Sequence, residues 1–590
     1  MIAVLALTSG ALRFGENTVL AATDARSSVF PDVDVQSYGA VSDAVQLSGC
    51  SITIGQRSLA CTGSHGKNFS NCAPGKLIIV QGAGPTVANT DNSLVTTIAS
   101  CTNDTTVQLN ASASATVRGT GTATFGTDNA TAFCKATQCT QAIYTGIFAN
   151  GVLAGRELYL PGGAYLTSQP LYCRNNLTCI GAGQGATQVI LASMSNPLPG
   201  PTHGVNFNTP HITPTICLGN ATAGIGTCSA DGAGATGGYG VYDLVVSNVG
   251  AQTVGVFGNA VVTPILDKIW TQTYYGIATY LALQVGIHEE VCDTSQVCVA
   301  LIGDGSPTPA RAYGYQFTDS ACGDRPYCLW TDGVQDVIAS NINGQNYTYG
   351  WWNYSPQGYS SYRIMWNGND FTGTSGLLPK SWIQFDAPCI DCSILSNQFA
   401  FSGGADITLG SGASGTTNLL VGENHFSRSK GTSVAASNRA LGSWIAEGNV
   451  WDTPGQYAVF SGNINVKFDN NTCVNPFAVL GPVGGGANAY ENGCFFFTGS
   501  TPSTVEASNN SATSSGRTRY PVLSFFNNTV TGHTSGNLSD YSGCAVCVNN
   551  TNSGVLISWN ERSQNFGSSG DGAFLAKFDP VAGVTIIPGR

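Results

Sequence analysis

Between Met365 and Val474 one short phrase keeps returning: Met-Trp-Asn-Gly-Asn369-Asp-Phe371, Ile-Leu-Ser-Asn397-Gln-Phe399, Leu-Val-Gly-Glu-Asn424-His-Phe426, Ile-Ala-Glu-Gly-Asn449-Val-Trp451 and Val-Lys-Phe-Asp-Asn-Asn471-Thr-Cys473. Successive asparagines lie 28, 27, 25 and 22 residues apart. A short apolar strand, an asparagine and an aromatic at such a period constrain the fold to a solenoid, in which each repeat buries its apolar face only by stacking on the next. Each repeat is read as one coil of an all-β, parallel β-helix.

If the five asparagines point into the coil, residues two further on also point inward, because side chains alternate along a strand. Those residues are Phe371, Phe399, Phe426, Trp451 and Cys473, so four rings would stack at the strand spacing of about 4.8 Å. The buried amides would then bond along the stack. Related phrases end at Asn248, Asn341, Asn528 and Asn560, which extends the same solenoid over most of the chain.

A solenoid lengthens by adding coils to one core, so 590 residues here count coils rather than globular domains. With 74 glycines and only 10% charged residues, the surface is turn-rich and neutral. The net charge of -11 and only 23 Lys and Arg exclude nucleic acid as the expected partner. A hydroxyl-rich and amide-rich surface suits polysaccharide instead.

Most of the 20 cysteines fall in close pairs: Cys134/Cys139, Cys173/Cys179, Cys217/Cys228, Cys292/Cys298, Cys322/Cys328, Cys389/Cys392, Cys473/Cys494 and Cys544/Cys547. Cys50, Cys61, Cys72 and Cys101 form a separate group whose pairing the sequence leaves open. Short even spacings of this kind read as local staples made in an oxidising compartment, and hence as a secreted or surface protein. Residues 1–25 are read as a leader, although a basic n-region is missing. No segment is long and apolar enough to form a membrane-spanning helix.

Near the N-terminus come Asp34-Val-Gln-Ser-Tyr-Gly39-Ala, Gly126-Thr-Asp-Asn-Ala-Thr-Ala-Phe133, Glu157-Leu-Tyr-Leu-Pro-Gly-Gly-Ala-Tyr165 and Cys179-Ile-Gly-Ala-Gly183-Gln-Gly-Ala-Thr-Gln-Val-Ile-Leu191. Over these residues the chain resembles the pectate-lyase-like superfamily of right-handed parallel β-helix proteins. That resemblance implies a right-handed helix and carbohydrate-directed activity. In the pattern it implies, the Gly-Ala turn leads almost directly into the Asp-rich segment, whereas here residues 41–125 intervene. They carry short alternating segments and are read as a small inserted β module that caps the open end. The divisions are thus a cap strand at 26–40, the module at 41–125, the helix at 126–562 and a C-terminal cap at 563–590. The Asp-Asp and Gly-His-Gly motifs of the polygalacturonase branch are absent, which removes hydrolysis of that type from the expectation.

The outward column after each asparagine reads Asp370, Gln398, His425, Val450 and Thr472, and the column before it Gly368, Ser396, Glu423, Gly448 and Asn470. Glu423 and His425 would share an outer face about 7 Å apart, with Asp370 two coils away at about 10 Å. An acid and a base so placed suit glycosidic cleavage or proton abstraction beside a uronate carboxylate. Glu423, His425 and Asp370 are the catalytic candidates, with alternates in Asp332 and Asp336, in His288-Glu289-Glu290, and in Asp304 with Arg311. Gln398, Arg363, Arg428 and Lys430 would bind substrate, and Trp351 and Trp352, in a stretch read as a loop, would stack on sugar faces. The expected function is a lyase, hydrolase or epimerase on an acidic glycan, monomeric or homotrimeric; the alternative is a non-catalytic glycan-binding adhesin or structural surface protein. No cofactor is expected, and calcium is the metal a lyase would call for.

Overall fold

A computed structural model describes residues 33–588 apart from 64–68, 86–91, 141–155, 193–212, 222–227, 230–237, 250–253, 306–311, 374–379, 429–433, 437–442, 455–458, 476–493, 499–502, 514–521, 540–545, 549–552, 564–575, 579–582 and a few breaks of three residues or fewer. Among the described residues the chain forms two long parallel sheets, one of 31 strands and one of 15, and a closed six-stranded antiparallel barrel. One coil contributes Ser361–Asn367 and Asp370–Thr372 to the larger sheet and Ser381–Phe385 to the smaller. The next coil lies in register on it, with Met365 opposite Ser393, Asp370 opposite Gln398 and Ile383 opposite Ile407. This is the parallel β-helix expected from the repeat. The larger sheet therefore has two panels, a leading and a trailing one, and the smaller forms the back.

The panels meet at a corner that is written in the backbone. Asp243, Lys268, Glu289, Asp319, Asn341, Gly368, Ser396, Glu423, Gly448, Asn470, Asn509 and Gly536 follow one another from coil to coil, all with φ between 48° and 66°. A single left-handed residue turns the strand and sends the next side chain inward. Glycine and asparagine accept this conformation readily, which explains their recurrence here.

Immediately after the corner sits the buried column Asn369, Asn397, Asn424, Asn449, Asn471, Asn510 and Asn537, each at most 1% exposed. Asn397 Oδ1 accepts both the backbone N–H and the Nδ2 of Asn369, at 2.9 and 3.0 Å. Its own N and Nδ2 donate to Asn424 Oδ1 at 3.0 and 2.9 Å, and Nδ2 also donates to the Trp366 carbonyl. Each amide thus satisfies the backbone N–H that the corner leaves without a strand partner. The ladder ends on Glu561, whose two carboxylate oxygens take the two donors of Asn537 at 2.8 and 3.3 Å.

The inward aromatic column stacks as its spacing implied, with ring centroids 6.4 Å apart for Phe371–Phe399, 5.2 Å for Phe399–Phe426 and 5.5 Å for Phe426–Trp451. The extension of the asparagine phrase needs correction. The ladder continues through Asn510 and Asn537, not through Asn528, which lies outside the described residues together with Asn560. Asn341 occupies the corner itself, and the inward position belongs to Ile342. Asn248 is half-buried in the strand Tyr239–Val249 and joins no amide ladder.

The inserted module is the barrel, running from Val45 to Gly126. It packs on the flank rather than over the open end: Leu77 and Ile79 meet Leu166, Ile190 and Ala192 on the outside of the first coils. The helix Ala130–Thr137 closes the interior instead, placing Ala132, Phe133 and Ala136 in the solenoid core. Asp43 pins the junction, accepting from Thr127 N and Oγ1 and pairing with Lys76 at 2.8 Å. Burial works against its charge, but those bonds prevail and hold the carboxyl below its ordinary range.

Nine disulfides form among the described residues, seven of them pairs expected from spacing; the open group resolves as Cys50–Cys61 and Cys72–Cys101. Cys544 lies outside the described residues. Such a set forms in an oxidising environment. No helix among the described residues is long and apolar enough to cross a membrane.

Candidate functional site

Asp370, Gln398 and His425 are exposed on consecutive rungs of the trailing panel, and Val450 ends the polar row. Glu423 belongs to the corner, where Ser396 Oγ donates to its Oε2 at 3.3 Å. The corner thus separates Glu423 from His425, which strand alternation alone placed on one face.

Other candidates are committed to contacts within the chain. Arg363 donates from Nε and NH2 to the two carboxylate oxygens of Asp336 at 2.6 and 3.0 Å, and from NH2 to Gln335 at 2.8 Å. Arg428 lies over the Phe401 ring at 5.3 Å. Lys430 and Arg311 fall outside the described residues.

The proposed stacking tryptophans require correction. Both belong to the back-sheet strand Tyr349–Asn353 rather than to a loop. Trp351 points inward, fully buried between Trp366 and Phe385, with Nε1 donating to Thr331 Oγ1 at 2.9 Å. Trp352 is 8% exposed and has Tyr327 stacked at 4.8 Å and Tyr354 at 4.6 Å. Neither offers a free face to a sugar.

The alternates separate in the same way. Asp332 and Asp336 do not form a pair: Asp332 is buried at the end of a back-sheet strand, whereas Asp336 faces Arg363 on the leading panel. Burial pushes the Asp332 carboxyl up to about 6, against a hydrogen bond from Ser355. Glu289 is exposed at the corner and lies 4.0 Å from Lys268, while Glu290 takes the inward position. Burial pushes Glu290 up to about 8, opposed by the Thr271 hydroxyl at 2.8 Å. Asp304 is half-buried just beyond the strand Val297–Ile302.

A different set of side chains converges further along the leading panel. Lys467, Glu506 and His533 occupy three successive rungs of one outward row, and Asp469, Ser508 and Ser535 occupy the adjacent row. Together with Ala507 these residues line a hollow of about 390 Å³. Lys467 Nζ is 2.9 Å from Asp469, and the Ser508 hydroxyl donates to the same carboxylate. The Asp469 contact raises the Lys467 ammonium above its ordinary range, with Glu447 and Glu506 adding to it, so the lysine stays charged. The hollow therefore holds a fixed cation, an oriented carboxylate, a second carboxylate and an imidazole.

Sequence reasoning missed this cluster because it followed the phrase from Asn471 to Asn528. Anchoring the row on Asn510 and Asn537 aligns Lys467, Glu506 and His533, each four residues before its ladder asparagine.

No family model matches the chain, and no curated protein is significantly similar to it. Solved structures of low identity do match it. The N-terminal fragment of bacteriophage Phi29 gene product 12 is 12% identical, covering 74% of this chain and 69% of that one, with a TM-score of 0.40. The catalytic domain of a GH87 alpha-1,3-glucanase is 11% identical over 83% and 90% of the two chains, with a TM-score of 0.36. The A-module of the Azotobacter vinelandii mannuronan C-5 epimerase AlgE6 is 14% identical over 79% and 96%, with a TM-score of 0.28.

Proposed function

We propose that the protein is an exported β-helix of the pectate-lyase-like kind that cleaves a uronate-containing polysaccharide in the hollow at Lys467, Asp469, Glu506 and His533. The observation that carries this reading is the alignment of a permanent cation with an imidazole two rungs away, about 10 Å along the row, beside an oriented carboxylate. Lys467 would hold the sugar carboxylate. Its charge stabilises the negative charge that develops when a proton leaves the adjacent carbon.

His533 would take that C5 proton as the base. The released electron pair forms the C4–C5 double bond, the C4–O bond breaks, and the leaving oxygen receives a proton from the same imidazole. Asp469 and Ser508 would fix Lys467 rather than touch the reacting atoms. The carboxylates Glu447, Asp469 and Glu506 supply oxygen donors of the kind calcium takes; a bound ion would add neutralising charge for a uronate.

The test is a depolymerisation screen of the purified protein on uronate-containing and neutral polysaccharides, with and without calcium, following reducing ends and the absorbance of unsaturated products. Both signals should rise on a uronate polymer. Reducing ends without absorbance would replace elimination by hydrolysis. A second reading is a non-catalytic glycan-binding surface protein, favoured by the flat exposed row Asp370–Gln398–His425; retention on an immobilised polysaccharide without any cleavage would select it.

A further inference from the structure

Glu290 occupies the inward position that asparagine holds in later coils, but no ladder passes through it. Its backbone N–H is taken by the Ser320 hydroxyl of the next coil at 3.1 Å, and its Oε1 accepts from Thr271 at 2.8 Å. Its Oε2 is buried with no hydrogen-bond partner, in a residue only 1% exposed. A carboxyl oxygen so placed calls for an explanation.

The nearest chemistry is the Cys292–Cys298 disulfide. One carboxylate oxygen of Glu290 and the two sulfurs all lie within 4.8 Å of one another. Thr271 Oγ1 also touches Cys292 Sγ, at 3.6 Å.

We propose that in the dithiol state Glu290, Cys292 and Cys298 form a buried site for a thiolate-binding divalent ion such as zinc, which formation of the disulfide abolishes. Two thiolates and a carboxylate are a donor set zinc accepts, and a fourth position can be filled by Thr271 or water. Entering the state needs a two-electron reductant, either a dithiol, whose two thiols become a disulfide, or a phosphine, which takes oxygen from water and becomes its oxide; in both cases the two cysteines become thiols. Each then loses its proton as it binds the ion. The site would hold the unoxidised chain in its native coil geometry before the staple closes.

The next coil provides an internal control. Cys322 lies directly on Cys292 and is bonded to Cys328 at the same sequence separation of 6, but Ser320 stands where Glu290 does. The full chain, reduced anaerobically by a phosphine and desalted, should bind cobalt(II) with a sulfur-to-cobalt charge-transfer band, and the oxidised chain should not. Cys292→Ser with Cys298→Ser should remove the band, Glu290→Ala should weaken binding by more than about tenfold, and Cys322→Ser with Cys328→Ser should leave it in place. Absence of the band in the reduced chain would overturn the proposal, as would its persistence without Cys292 and Cys298 or its loss only when Cys322 and Cys328 are replaced. Retention of the band by the Cys322/Cys328 variant also shows that removing a staple does not by itself unfold the site.

Discussion

The coils from Asn369 onward and the coils just before them solve one problem in two ways. In the later coils the position after the corner is asparagine, and the inward position two further on is aromatic in four successive coils, Phe371, Phe399, Phe426 and Trp451, and then Cys473, Ala512 and Ser539. In the earlier coils the first column reads Leu244, Ile269, Glu290, Ser320 and Ile342, and the second Val246, Thr271, Cys292, Cys322 and Gly344. Amides hold the later region, with stacked rings in four of its coils and disulfides at Cys389–Cys392 and Cys473–Cys494; the earlier region carries the Cys292–Cys298 and Cys322–Cys328 staples with no asparagine in the first column. The change occurs at Gly344, where the ring of Phe371 from the next coil fills the space a side chain would need. Corner geometry is common to both regions, so the backbone tolerates either filling provided that the corner N–H groups and the core volume are satisfied.

The sharpest way to break this comparison is Asn424→Ala. It removes the acceptor for both Asn397 donors and both Nδ2 bonds of Asn424 itself, to Asn449 and to the Ile394 carbonyl. Leaving buried donors without partners should cost about 3 kcal/mol or more, read as a lowered denaturation midpoint. Replacing Cys322 and Cys328 by serine should cost less, about 2 kcal/mol, because the closed loop is short. Equal losses in the two regions would deny that the ladder is the stronger device.

Asp332 sharpens the contrast through pH. Its folded carboxyl titrates near 6, above its ordinary 3.8, so the folded state binds the proton more tightly. Its penalty on stability is absent below about pH 4, grows as pH rises through that window and is complete above about 6. Asp332→Asn should therefore match the parent in acid and exceed it by on the order of 1 kcal/mol at pH 7 in thermal melts. The smallest effect is expected at the corner: Glu423→Gly, which relieves a non-glycine residue at φ 54°, should stabilise by at most about 1 kcal/mol.

The same comparison explains what the sequence disclosed. The asparagine phrase made the fold, the register of five coils and the aromatic stack legible, because inward residues at a corner have few chemical options. The stapled coils were legible only through cysteine spacing, and their corner could not be recognised from Lys268, Glu289 or Asp319, which carry no asparagine after them. Trp351 and Trp352 looked like loop aromatics because composition says nothing about which side of a strand a ring takes. The hollow stayed hidden because Asn471 and Asn510, adjacent in the ladder, are 39 residues apart in sequence, which breaks the period on which the outward rows depend.

The most direct measurement compares two histidines on two panels. On whichever polysaccharide the protein cleaves, kcat/KM is measured for His533→Ala, from the hollow, and for His425→Ala, from the exposed row. The account predicts a loss of about a hundredfold or more for His533→Ala and a change of less than about twofold for His425→Ala. A large loss at His425 with activity intact at His533 would contradict it.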